Sequence, residues 1–118
     1  MLKQWEIHVV HQVHARKELV PTQPNDPSHY NRMYVIVADP LGGETVICCP
    51  IQNSIGGVGI SEVGLLNRYA TCITKDCKIV CDQIFTLPAK FFERKVGFLR
   101  LPEQQKIQTA IIGVFGLL

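Results

Sequence analysis

Three short apolar runs, Tyr34 to Val37, Val46 to Ile51 and Asp76 to Thr86, constrain this chain more than any other feature. Each is rich in Val, Ile and other β-favouring residues, so each reads as a strand. Asp39-Pro40-Leu41-Gly42-Gly43 lies between the first two and turns the chain, so Arg32 to Ala38 and Glu44 to Ile51 are expected to form a hairpin. Asn31-Arg32 stands at the head of the first run, and Asp82 interrupts the last. An arginine and a carboxylate carried into a small β-rich domain point to chemistry on a phosphodiester.

The remaining segments complete an expected single domain over 1–118. Trp5 to His14 reads as a first strand, with Ile7, Val9 and His11 on one side and His8, Val10 and Gln12 on the other. Residues 16–31 carry three prolines and little apolar periodicity, which predicts a long first loop of the kind that often forms binding surfaces. Gln52 to Gly59 is polar and Gly-rich, but it lacks GxGxxG spacing and a following Lys-Ser, so it is not a phosphate loop by motif. Ile60 to Leu66 and Val96 to Leu99 read as short strands, Lys78 to Thr86 as a strong one ended by Pro88, and Pro88 to Arg94 as a helical turn.

The tail changes period. Ile107, Ala110, Ile111, Val114 and Phe115 recur at intervals of three and four, which predicts a C-terminal amphipathic helix covering the sheet. Pro102 and Glu103 suit its first turn. The fold class expected is mainly β, a small, strongly curved antiparallel barrel with one packed helix.

Composition limits the partners. A hydrophobic content of 47% with 19% charged residues is that of a globular chain, and a formal charge of +2 draws nucleic acid only through a local patch. Five cysteines without CxxC spacing, and no secretory leader, place the expectation in a reducing cytoplasm. Cys48, Cys49 and Cys81 fall in apolar runs as small hydrophobes, whereas Cys77 and Cys72 are expected to be exposed enough to react. Charged or turn residues interrupt every apolar stretch before membrane-spanning length, so no membrane association is expected. His8, His11 and His14 have helical ligand spacing, but their β-branched neighbours favour a strand, on which His11 points away from the other two. They are read as satisfied surface histidines, and no metal or cofactor is expected.

The order of several segments resembles the MazF/PemK-like growth-inhibitor toxins, the messenger-RNA interferases. It is carried by Arg32-Met33-Tyr34-Val35-Ile36-Val37, Ile47-Cys48-Cys49-Pro50-Ile51-Gln52, Asp82-Gln83-Ile84-Phe85-Thr86 and Gly97-Phe98-Leu99, with Trp5 to Val10 a looser counterpart of the family's opening strand. The resemblance implies an SH3-like barrel that forms a homodimer and cleaves single-stranded RNA without a metal. It also implies control by a cognate antitoxin, through which the toxin associates indirectly with DNA. Carried over residue by residue, the family arginine is Arg32, the aspartate is Asp82, and the threonine position is Gln52, with Ser54 two residues on. Gln52 donates a hydrogen bond to phosphate but cannot transfer a proton as a hydroxyl does, and Val80 and Phe85 stand where many relatives keep arginine.

Metal-free RNA cleavage needs a base for the 2′-hydroxyl, a cation for the developing charge and an acid for the leaving oxygen. Arg32 is the expected stabiliser, Asp82 an aligning group or base, Gln52 a phosphate donor, and His29 or His14 a proton carrier. Both Arg32 and Asp82 also have a structural reading, as partners satisfying each other or the backbone. Arg16, Lys17, Tyr30, Ser54 and Arg68 are the expected RNA contacts, and Trp5, Tyr34 and Tyr69 are further rings able to stack on bases. The alternative reading is a barrel of the same family that is catalytically inactive and binds nucleic acid or a protein partner.

Overall fold

The computed structural model describes residues 2–10, 33–39, 43–53 and 56–116. In chain order these form β1 (Glu6–Val10), β2 (Met33–Ala38), β3 (Thr45–Asn53), β4 (Glu62–Leu65), β5 (Cys77–Val80), β6 (Phe85–Pro88), β7 (Phe92–Phe98) and helix α1 (Leu101–Val114). Short 3-10 turns occupy Asn67–Tyr69 and Ala89–Phe91. The expected hairpin is present as β2 against β3, paired antiparallel from Tyr34↔Pro50 to Ile36↔Cys48.

The expected barrel is not formed. The strands lie in an open seven-stranded sheet in the order β4-β5-β3-β2-β1-β7, with β6 also paired to β3, so β4 and β7 end the path without meeting. Closure requires the two end strands to share a ladder. Here α1 packs beside β4 instead, and the chain leaves β7 directly into α1 through the buried Leu99.

The single strong strand expected over Lys78 to Thr86 is two strands. β5 reaches Ile79↔Ile51 and β6 begins at Phe85↔Cys48, so three steps along β3 correspond to six on the other segment. The surplus is extruded as a bend that carries Asp82. Pro50, which has no amide hydrogen to donate, falls in the interval of β3 between these two partners, where that edge of the ladder is already interrupted. β7 starts earlier than expected because Phe92 pairs with Val10 across two irregularities in the β1–β7 register. Within that ladder Gly97 lies opposite Ile7, and a Cβ there would sit 3.3 Å from the Cys72 Sγ and 3.4 Å from the Ile7 Cδ1. Trp5 enters β1 with φ of 72°, costly for a bulky residue, and is held by its N–H to Ile36 O (2.7 Å) and by Leu99 N–H to its own carbonyl (3.0 Å).

Alternation sorts the side chains onto two faces. Cys49 and Ile51 of β3 join Ile7, Val35, Val63, Leu65, Ile79 and Ile107 in the larger cluster. Cys48 joins Val10, Tyr34 and Leu87 in a smaller one, walled by Phe85, Phe91 and Phe92. Both faces of β1 are therefore buried, His8 included, which corrects its reading as a surface histidine. Cys48, Cys49 and Cys81 pack as expected, but Cys77 is buried too, and burial pushes its thiol up to about 11. Cys48 is pushed up to about 12 by the same cause, and the half-buried Cys72 is also raised. None of these three is an activated nucleophile.

The C-terminal helix forms as expected, with Pro102 and Glu103 in its first turn. Its inner face is Ile107, supported by the half-buried Ala110 and Ile111. Val114 and Phe115, expected on the same covering face, are exposed. Among the described residues no helix is long and apolar enough to cross a membrane. Because Ile107 is fully enclosed, Ile107→Ala is expected to cost about 2–5 kcal/mol in urea unfolding, whereas Phe115→Ser should change stability by less than about 0.5 kcal/mol. Similar losses for both would mean that α1 is not held by its inner face.

Candidate nucleic-acid interface

Gln52 stands near the end of β3, half-buried, on the same face as Cys48 and directly across the ladder from Lys78 of β5. Lys78 in turn faces Gly64 of β4. Directly paired residues present their side chains to one face, with Cβ atoms roughly 5 Å apart, so the end of the sheet presents Gln52, Lys78 and Gly64 in a row, with the Val58 side chain over Gly64.

Lys78 reaches across to β4. Its ammonium donates to Glu62 Oε1 at 3.0 Å and to the Gly57 carbonyl at 3.4 Å, with only 15% of its side chain exposed. The same Glu62 oxygen accepts the Gly59 N–H at 2.6 Å. One lysine and one carboxylate thus tie the Gly-rich segment to β4 and β5. Gly56 and Gly57 have φ of 88° and 90°, a left-handed backbone that side chains disfavour, which explains the glycines by turn geometry rather than by a phosphate motif. Burial pushes the Glu62 carboxyl up, but the Gly59 N–H and Lys78 outweigh it and hold the group below the ordinary carboxylate range.

The 3-10 turn after β4 lies at the same end of the sheet, since Asn67 N–H donates to Asp76 Oδ1 (2.9 Å) just before Cys77, which pairs with Asn53. It exposes Arg68, whose guanidinium lies 4.8 Å from the Tyr69 ring centroid, while Arg100 stacks on the same ring at 3.5 Å. Arg100 is also bound by two hydrogen bonds to Glu103, at 2.7 and 2.9 Å, which fixes the start of α1. Of the rings considered for base stacking, Trp5 and Tyr34 are buried and Tyr69 is exposed between its two arginines.

Asp82 is exposed on the β5–β6 bend, two residues past the end of β5. Gln83, beside it, keeps a buried Oε1 without a hydrogen-bond donor among the described residues. Val80 is buried and Phe85 meets the Tyr34 ring edge-on, so both positions are packing positions. Arg32, His29, His14, Arg16, Lys17, Tyr30 and Ser54 lie outside the described residues. Among the described residues no three His, Cys, Asp or Glu side chains gather as a metal site would require.

Sequence reasoning did not single out two polar clusters. The Lys78–Glu62 pair had a signal, a lone lysine between Cys77 and Ile79, but its partner depends on strand pairing. The second cluster is on β1, where Glu6 Oε1 lies 2.9 Å from His8 Nε2 and accepts the Lys3 N–H at 3.0 Å, while Lys95 Nζ reaches Oε2 at 3.3 Å. Burial pushes the Glu6 carboxyl up, yet these bonds together lower it. His8 meets Phe92 edge-on, and its Nδ1 is buried with no partner among the described residues.

Comparison with known proteins places this geometry. The family model for "PemK-like, MazF-like toxin of type II toxin-antitoxin system" matches residues 17–115. Among solved structures, Mycobacterium tuberculosis toxin MazF-mt6 aligns with a TM-score of 0.68 at 18% identity, covering 94% of this chain and 96% of that one. An endoribonuclease in complex with its cognate antitoxin, from a mycobacterial species, aligns with a TM-score of 0.72 at 14% identity, over 100% of this chain and 98% of its own. No curated protein matches the chain.

Glu6 and Glu62 are both depressed from an ordinary value of 4.5, so each stabilises the fold above that value and loses its contribution as pH falls through its lower folded value. The urea midpoint is therefore expected to drop as pH is lowered below 4.5, and Glu6→Gln with Glu62→Gln should flatten that acid limb. An acid limb unchanged in the double variant would show that the two pairs do not hold the fold.

Proposed function

Since this chain belongs to the PemK-like, MazF-like toxins of type II toxin-antitoxin systems, we propose that it is a metal-independent endoribonuclease acting on single-stranded RNA. The observation that carries the reading is the match over residues 17–115, which spans Arg32, Gln52 and Asp82 together. The clustering of Gln52, Lys78 and Arg68 at one end of the sheet supports it, because a phosphodiester needs donors and cations side by side. Arg32 neutralises the charge that develops on the scissile phosphate, Gln52 donates to a phosphate oxygen, and His29 moves the proton. Asp82, on its separate bend, aligns the strand. Arg16, Lys17, Tyr30, Ser54 and Arg68 hold the neighbouring nucleotides.

The protein works in the cytoplasm as a homodimer restrained by a protein antitoxin, through which it meets DNA indirectly. A mycobacterial endoribonuclease of the same fold is solved in complex with its cognate antitoxin, which supports such a partner. The dimer reading rests on the groove between α1 and the β4 edge, about 840 Å³, whose rim carries the fully exposed Ile60 together with Val58 and Val114. An apolar rim of this kind on an end strand favours cover by another surface. Ile60→Ser with Val114→Ser is expected to shift sedimentation from dimer to monomer without loss of helix signal. An unchanged dimer would move the interface elsewhere.

Time-resolved cleavage of a mixed-sequence single-stranded RNA in EDTA tests the activity. Wild type should cut and Arg32→Ala should be slower by at least about 100-fold while remaining folded. Intact RNA with folded wild type across a broad sequence set would leave a non-catalytic binding member of the family, the reading that Gln52, Val80 and Phe85 favour.

A further inference from the structure

Lys78 is the described cation closest in the ladder to Gln52, and nothing in the sequence pattern assigns it a role. Three observations define its position. It shares a face with Gln52 as its direct cross-strand partner. It is held on a half-buried carboxylate rather than inside the core, with side-chain exposures of 15% for Lys78 and 17% for Glu62. Its second contact is the Gly57 carbonyl at 3.4 Å, and Gly56 and Gly57 leave open space where side chains would stand.

A lysine whose only job was to fix the loop would need no neighbour able to donate to phosphate. Here Lys78 and Gln52 are direct cross-strand partners, side by side on one face of the sheet. A phosphate there would accept from both, in place of the single Glu62 oxygen that Lys78 now shares with the Gly59 N–H. We infer that Lys78 is a phosphate ligand of the nucleic-acid strand, held by Glu62 until a phosphate displaces that carboxylate and takes the ammonium over. The inference rests on the single-stranded RNA reading above. Its chemistry is an exchange of ion-pair partners: no bond is made or broken, and Glu62 remains bound to the Gly59 amide after the exchange. Glu62 is then the resident ligand that the phosphate displaces, and Lys78 the group that touches substrate.

The test is binding of a mixed-sequence RNA oligonucleotide with 2′-O-methyl sugars, which cannot be cut, followed by fluorescence anisotropy across a salt series. Loss of one phosphate contact from a single strand lowers the slope of log K against log salt by about 0.7. Lys78→Gln and Lys78→Met should both show that loss, and Lys78→Arg should restore the wild-type slope. Glu62→Gln, which removes the competitor for the lysine, should tighten binding by about two- to five-fold. Thermal unfolding of each variant separates these effects from loss of fold, and Lys78→Gln is the milder variant because it keeps a polar side chain able to donate hydrogen bonds. RNA binding with an unchanged slope in folded Lys78→Gln, or weaker binding in folded Glu62→Gln, overturns the inference and leaves the RNA reading standing. Absence of any binding by folded wild type overturns both.

Discussion

Strand β3 is the element on which the rest of the structure depends. Its nine residues pair with β2 on one edge and, on the other, with β6 over Thr45 to Cys48 and with β5 over Ile51 to Asn53. The change of partner is a geometric necessity once six residues of the facing segment must span three of β3, and Pro50 occupies the interval where an amide donor is least needed. The apolar half of β3 is thereby committed to β6 and the two clusters, while Gln52 is delivered beyond the change of partner, beside the polar half of β5. The candidate site exists because one strand serves two neighbours.

Much of this was legible in the sequence where the signal is local. The β2–β3 hairpin follows from a Pro-Gly-Gly turn between Val- and Ile-rich runs, and α1 follows from apolar residues at intervals of three and four after Pro102. What was not legible depends on which strand meets which. Sheet closure is decided by whether β4 and β7 share a ladder, and neither strand encodes that. The division of Lys78 to Thr86 depends on a register against β3 that alternation alone does not reveal. Cys77 was expected to be exposed, yet strand alternation sends its thiol to the face opposite Lys78. The order of Arg32, Gln52 and Asp82 was readable, but the bend that carries Asp82 was not, because it follows from the change of partner along β3.

Three carboxylates take similar work in different places. Glu6 gathers the Lys3 amide, His8 and Lys95 at the start of β1; Glu62 gathers Gly59 and Lys78 at the start of β4; Glu103 holds Arg100 at the start of α1. Buried or half-buried ion pairs add little net stability, because desolvation offsets most of the attraction. Their effect is positional: each fixes the entry of an element whose neighbours are otherwise held by non-directional apolar contact. Glu6 also keeps a histidine inside the sheet, where its Nε2 is satisfied.

These pairings govern how the molecule can meet an anionic strand. A formal charge of +2 provides little long-range field, and among the described residues Lys78, Lys95 and Arg100 are each matched to a carboxylate. Arg68 lies instead on the ring of Tyr69, exposed at the same end of the sheet as Lys78. A surface of this kind does not capture nucleic acid by bulk attraction; it discriminates by whether a phosphate can be placed where a carboxylate now stands. Such an exchange replaces one anion by another of the same sign, so most of the desolvation cost of the cation has already been met in folding. The free energy that remains depends on donor geometry around the incoming oxygen, and at the end of β3 that geometry is set by the Gln52–Lys78 register.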